Sequence, residues 1–147
     1  MNRLPDFSLH PRLAADTVVV GDLPLCRVLL MNDARYPWCI LVPRRDAIRE
    51  IHELETPDRR RLIDESCALG RAMMTAFDGH KFNVAALGNV VPQLHLHHVV
   101  RYTTDAAWPA PVWGRHPPLP CSGAQLQSRI SGITGHLQGL VPAHGEN

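Results

Sequence analysis

Short apolar blocks separated by turn residues mark the first third of the chain. Thr17-Val18-Val19-Val20 and Leu25-Cys26-Arg27-Val28-Leu29-Leu30-Met31 are rich in β-branched and aliphatic side chains. Gly21-Asp22-Leu23-Pro24 lies between them and supplies turn chemistry, so the pattern predicts a hairpin. A second turn, Asn32-Asp33-Ala34-Arg35-Tyr36-Pro37, leads into Trp38-Cys39-Ile40-Leu41-Val42. Pro43 closes that run because it has no N–H for a ladder. Three sequential antiparallel strands are expected. The period then changes. Thr56 reads as a helix N-cap, Pro57 as the first helical residue and Asp58 as an acid near the positive helix end. Leu62, Ile63, Cys67, Leu69, Met73, Met74 and Phe77 recur at intervals of three and four as one apolar stripe, with the Met pair as core filler. Asp78-Gly79 stops the helix. The run Arg59-Arg60-Arg61, followed by Asp64 and Glu65, reads as a solvated helix face rather than a phosphate clamp.

Residues 82–87 form an expected fourth strand and residues 94–102 a fifth. Trp108, Pro109, Pro111, Trp113, Pro117 and Pro118 then exclude regular structure, leaving an extended segment pinned by its tryptophans. A last helix over 125–140 is weakened by Gly132, Gly135 and Gly139, and the tail beyond it is expected to be mobile. This order reads as α+β: an antiparallel sheet of about five strands, one main helix and a C-terminal helix. One domain over 1–147 is expected, with a core at about 17–105, the Pro/Trp-rich segment and helix at 106–140, and a tail at 141–147.

Composition narrows the function classes. The 147 residues are 45% apolar, with 15 basic against 14 acidic side chains and a formal net charge of +1. Such balance gives no basic face for a nucleic-acid polymer, so phosphate recognition must be local. No apolar run approaches the roughly 20 residues that cross a bilayer, and residues 1–10 lack the apolar block of a secretory signal. Cys26, Cys39, Cys67 and Cys121 are widely spaced, without a Cys-x-x-Cys pair. Buried free thiols in a reducing cytoplasm are the expectation.

Gln93-Leu94-His95-Leu96-His97 carries the chemistry. A strand period of two sets Gln93, His95 and His97 on one face, with Leu94 and Leu96 directed into a core. Two imidazoles and an amide in a row offer a nucleophile, a proton carrier and a hydrogen-bonding partner. His98 falls on the opposite face, as a hydrogen-bonded histidine under the sheet or at an interface. A metal site built from His95, His97 and His98 is disfavoured, because no acid-bearing motif accompanies the pair and His98 points away. No nucleophile elbow for a Ser or Cys is present.

From about Leu25 to Arg101 the chain resembles the histidine triad (HIT) superfamily of nucleotide hydrolases and transferases, and within it proteobacterial proteins described as dinucleoside polyphosphate hydrolases. Three segments carry the resemblance: Ile40-Leu41-Val42-Pro43-Arg44, Thr56-Pro57, and Gly88-Asn89-Val90-Val91-Pro92-Gln93-Leu94-His95-Leu96-His97. The chain departs from the pattern at Gln93, which replaces the first triad histidine. It departs again at Trp38, where many members have a further histidine, and at Asn89 and Val90, where glutamine and a hydroxyl residue are usual.

The resemblance implies displacement at the α-phosphorus of a nucleotide with His95 as nucleophile. A neutral imidazole, with an ordinary pKa of about 6.5, offers a free nitrogen at neutral pH. Its other nitrogen must hold the proton, and the Gln93 carbonyl is placed to fix that tautomer. His97, about 7 Å further along by strand rise, is expected to donate to a phosphoryl oxygen. Asn89 is a candidate for the bridging oxygen, and Gln93 can hydrogen-bond but not carry a proton. Asn83 is a candidate for phosphate or sugar, and Asn32 or Asp33 for the ribose hydroxyls. Asn83 and Asn32 read equally well as turn or strand-end caps. No metal or other cofactor is implied. The expected partners are a purine nucleotide or dinucleotide and a second copy of the chain, the latter hinted at also by Trp108 and Trp113, which could equally close over their own subunit. A nucleotide-binding module, weakened in catalysis by Trp38 and Gln93, is the alternative.

Overall fold

The computed structural model describes residues 7–143. Its elements are α1 (Pro11–Asp16), β1 (Thr17–Asp22), β2 (Cys26–Met31), β3 (Trp38–Pro43), a 3-10 turn (Ile51–Glu53), α2 (Thr56–Ala76), β4 (Lys81–Ala85), β5 (Leu96–Arg101), α3 (Gly123–His136) and β6 (Val141–Pro142). All pairs are antiparallel in one sheet of order β4-β5-β3-β2-β1-β6. The α+β class and the sequential β1-β2-β3 meander are as expected, with one strand more. That sixth strand comes from the stretch expected to be mobile: Val141 and Pro142 pair with Asp22 and Gly21. The rest of the tail, 144–147, lies outside the described residues.

Both faces of the sheet are covered, which explains why β3 is a continuous apolar run. Cys39 and Leu41 join Cys26, Val28, Leu96 and Val100 beneath α2 and α3, whose Leu62, Leu69, Met73 and Ile133 are fully buried there. Each such side chain contributes about 1.5–3 kcal/mol by leaving water. Trp38, Ile40 and Val42 alternate onto the other face, where Leu13, Tyr36, Val91, Val99, Ala107 and Val112 close a second cluster. That face is therefore not a bare polar surface. α1, which the apolar pattern did not predict, helps to cover it: Pro11 opens this six-residue helix and the ring of His10 accepts from Arg12 N at 3.1 Å. Histidine is not a usual cap, so the signal is weak in sequence. Trp108 and Trp113 also pack on their own chain, against Arg101 and His80 and against Trp38 and His97.

Several boundaries shift. The N-cap of α2 is Glu55, with Thr56 and Pro57 inside the first turn. Its buried stripe is Leu62, Leu69 and Met73 with Glu65 and Ser66, while Ile63 is 53% exposed and Cys67 faces solvent. Glu65 is thus no solvated surface acid. It accepts the N–H groups of Leu25 at 3.0 Å and Cys26 at 2.8 Å, where the β1–β2 turn would otherwise leave them unpaired. Burial raises its pKa, against the lowering effect of those N–H groups. Cys26 and Cys39 are buried free thiols as expected, but Cys67 and Cys121 are not buried. α3 starts at Gly123, capped reciprocally by Ser122 and Gln125, and ends four residues earlier than its apolar pattern suggested. Arg129 on α3 reaches the β2–β3 turn and donates to the carbonyls of Asp33, Ala34 and Tyr36 at 2.7–3.1 Å. No described helix is long and apolar enough to cross a membrane.

Candidate active site

The residues that precede β5 set the site. Leu94 N donates to Ile48 O at 2.9 Å instead of entering the ladder, so the strand begins at Leu96, two residues later than its pattern suggested. His95 therefore stands just outside the sheet. A carbonyl only accepts, so the 2.7 Å contact between His95 Nδ1 and Gln93 O puts the ring proton on Nδ1. Nε2 is left with its lone pair and takes no hydrogen bond from any described residue. The ring is 5% exposed and borders a cleft of about 670 Å³ shared with Arg12, Asp16, Met31, Trp38, Asn89, His97 and Trp113. It also borders a polar hollow of about 320 Å³ lined by Arg49, Glu50, Asn89 and Gln93. Gly88 makes room for this ring: a Cβ there would lie 2.9 Å from His95 Cε1 and 2.8 Å from Val91 O.

His97 shares the cleft, its ring centroid 4.9 Å from that of His95. Both its nitrogens are engaged by the protein. Trp38 Nε1–H donates to Nδ1 at 3.1 Å, and Nε2–H donates to Leu87 O at 3.1 Å. Indole rings of Trp38 and Trp113 meet it edge-on at 5.6 and 5.5 Å. Burial, and then the proximity of His95, lowers its pKa to about 4. The ring is neutral near pH 7, and its one proton points at a backbone carbonyl rather than into the cleft. This corrects the expectation of a phosphoryl donor: the bulky donor at position 38 consumes the acceptor nitrogen and so fixes the tautomer.

Gln93 borders the polar hollow, but its carboxamide is spent on the N-terminal segment. Oε1 accepts from His10 N at 2.9 Å and Nε2 donates to Ser8 O at 3.0 Å. The side chain in the first triad position thus fastens a strap, instead of standing free beside His95 and His97. Asn83 is further away in function: its Oδ1 accepts from Arg101 Nη1 at 2.9 Å, and it borders neither the cleft nor the hollow. Arg101 in turn pairs with Asp105 at 2.8 Å, both side chains 2% exposed. Burial opposes the charge on Asp105, but Arg101 and the N–H groups of Tyr102, Ala107 and Trp108 outweigh it and hold the carboxyl at about 2. Asn83 belongs to that buried brace.

Asn32 and Asp33 lie on an apolar recess of about 280 Å³ that joins the cleft through Asp16, Met31, Trp38 and Trp113. Asp33 is 5% exposed, and its Oδ1 accepts from Arg35 N at 3.0 Å, while Oδ2 takes no hydrogen bond from any described residue. Asn32 Oδ1 accepts from Cys121 N at 2.8 Å. Tyr36 Oη and Trp113 Nε1, also in this wall, are buried without a partner among the described residues. His98 lies on the opposite face, as the period of two implied: Nδ1–H donates to Leu96 O at 3.0 Å and Nε2 accepts from Ser66 Oγ at 2.7 Å beneath α2. Among the described residues no group of three or more His, Cys, Asp and Glu is arranged to hold a metal.

The structure thus brings His95, His97 and Asn89 to one cleft and Asn32 and Asp33 to its apolar end. It adds Arg12, Gly88 and Trp113, none of which sequence reasoning placed at the site. Trp113 was legible as a pin for a proline-rich segment and as a hint of a second copy, not as part of the site, and Arg12 carried no signal at all.

The family model described as the HIT domain matches residues 12–104. A histidine triad protein from Marinobacter aquaeolei VT8 is 56% identical over 92% of this chain and 98% of that one, with a TM-score of 0.88. Histidine triad proteins from Bradyrhizobium japonicum and Sinorhizobium meliloti 1021 are 46% and 38% identical. They cover 90% and 92% of this chain and 99% and 100% of their own, each with a TM-score of 0.89. No curated protein matches the chain. With the HIT-domain model matched over residues 12–104 and relatives matched over almost their whole length, the chain belongs to the histidine triad family, whose members are in general nucleotide-binding hydrolases and transferases.

Proposed function

We propose that this protein cleaves phosphoanhydride or phosphoramidate bonds of nucleotides, with substrates of the dinucleoside polyphosphate type, through a nucleotidyl intermediate on His95. One observation carries the reading: the Nδ1–H of His95 is pinned to a carbonyl, its Nε2 takes no hydrogen bond from any described residue, and the ring borders a cleft. An imidazole in that tautomer attacks without prior deprotonation.

The apolar recess takes the purine between Met31, Trp38 and Trp113, and Asp33 Oδ2 accepts from the ribose hydroxyls. The unpartnered atoms of Tyr36 and Trp113 support a polar guest there. The phosphates then run toward Asn89 and Arg12 at the mouth of the cleft. In the first step the Nε2 lone pair bonds to the α-phosphorus, and the bond to the leaving group breaks with its electron pair going to that group. The ring keeps its Nδ1 proton, and Gln93 O stabilises the cation so formed. Water then attacks phosphorus, its proton passes to solvent, and the P–N pair returns to Nε2. The same reading takes the chain as a cytoplasmic homodimer; its free thiols and the outer edge of β4, which pairs with no other described strand, support this.

A binding module without turnover is the second reading, favoured by the engagement of Gln93 and of both His97 nitrogens. Intact-protein mass spectrometry after brief exposure to a diadenosine polyphosphate separates the two. The enzyme gains the mass of one adenylyl group, lost again in His95→Ala; a protein that binds the nucleotide and never gains that mass is the module.

A further inference from the structure

The cleft holds one nucleophile and, among the described residues, no side chain placed to give a proton to a departing group. Gln93, in the first triad position, has an amide and spends it on Ser8 and His10. His97, in the third, has its single proton on Leu87 O and its other nitrogen occupied by Trp38. Asp16, paired with Arg12 at 3.7 Å, borders the cleft and Glu50 the hollow, and an ionised carboxyl group accepts hydrogen bonds without donating them. His10 borders a separate cavity, and His116 borders the recess assigned to the base and is not among the residues lining the cleft.

We infer that this site selects substrates by the acidity of the leaving group, releasing groups that depart as stable anions, such as phosphates, and retaining amines. The inference rests on the nucleotidyl-transfer reading above and narrows it to one of its two bond types. When the P–O bond of an anhydride breaks, the electron pair stays on the bridging oxygen as part of a phosphate, and no proton is required. When a P–N bond breaks, the nitrogen must gain a proton to leave as an amine. A positioned general acid is worth about 10²–10⁴-fold for such a step. Trp38 is the positioning residue: its indole N–H occupies the nitrogen by which His97 would otherwise take up a proton.

Three adenylyl donors test this with the wild-type protein: diadenosine triphosphate, the p-nitrophenyl ester of adenosine monophosphate, and adenosine 5′-phosphoramidate. The ester leaves as a phenolate without a phosphate chain, and so separates leaving-group acidity from recognition of extra phosphates. The expected result is turnover of the first two and a phosphoramidate kcat/KM lower than that of the ester by about 100-fold or more. Phosphoramidate turnover within about tenfold of the ester overturns the inference and leaves nucleotidyl transfer standing. Consumption of none of the three refutes nucleotidyl transfer, and the inference with it. In Trp38→Phe the aromatic wall stays and the donor to Nδ1 goes, so the gap is expected to narrow by about tenfold. An unchanged gap in a folded Trp38→Phe protein removes Trp38 from its role, while the wild-type ratio holds whether or not that variant folds.

Discussion

At His95 and at His98 the chain uses one local arrangement. In each, ring Nδ1–H donates to the carbonyl two residues back, at 2.7 Å to Gln93 O and at 3.0 Å to Leu96 O. Both rings are buried, at 5% and 0% exposure. They differ in what Nε2 meets. At His98 it accepts from Ser66 Oγ beneath α2, so every polar atom of the ring is spent. At His95 it takes no hydrogen bond from any described residue, and the ring borders a cleft. A fixed tautomer and burial are therefore shared by both histidines, and an unmet lone pair on a ring beside an open cavity distinguishes His95.

The sharpest break of this comparison removes each ring in turn. His95→Ala is expected to lower kcat for diadenosine triphosphate by at least about 10⁴-fold without loss of fold, as deletion of a nucleophile does. His98→Asn should leave the folded fraction active within about threefold while lowering stability by about 1–3 kcal/mol, because Ser66 Oγ loses its buried partner. Steady-state rates and urea midpoints measured on both variants check the contrast; a His98 variant that is stable and inactive would erase it.

Acid is the next lever. Burial leads the causes that hold His97 and His98 each at about 4. An unfolded histidine takes its proton near 6.5, so below that pH the unfolded chain binds more protons than the folded one. Stability is then complete above about pH 6.5 and falls until about pH 4, by about 3 kcal/mol for each ring. Urea unfolding at pH 7, 5.5 and 4 measures the decline, and His98→Asn should remove about half of it. A flat profile over that range contradicts the neutral state of both rings. The smallest effect concerns the strap. Gln93→Ala takes two hydrogen bonds from the backbone of Ser8 and His10, and a cost of about 1 kcal/mol is expected. It should appear as faster amide exchange at His10 and a raised KM, with kcat changed little.

What the chain's pattern revealed followed from local geometry. The period of two separated His97 from His98, the Pro57 turn and the three-and-four spacing located α2, and the Gln93 carbonyl was foreseen as the clamp on His95. What it concealed depends on residues distant in sequence. The carboxamide of Gln93 meets Ser8 and His10 more than 80 positions away, and no periodicity reports such a bond. Trp38 and His97 meet only because Ile40 is paired with His97, a register set by the whole sheet. Glu65 looked like a surface acid because its partners are two backbone N–H groups of a turn 40 residues earlier. Asn83 was read from its residue type alone, and Arg101, the group that claims it, lies on the neighbouring strand.

Arg129 gives α3 a bearing on the order in which the molecule can be completed. The turn that presents Asp33 is held by a guanidinium 96 residues later, which grips three of its carbonyls. On a ribosome, β2 and β3 emerge and can pair well before that grip exists. A nascent chain halted ahead of Ser122 can lay down most of its sheet and carry His95, yet the Asp33 rim of the recess still awaits its final shape. Maturation of the recess is thus deferred to nearly the last stretch synthesised.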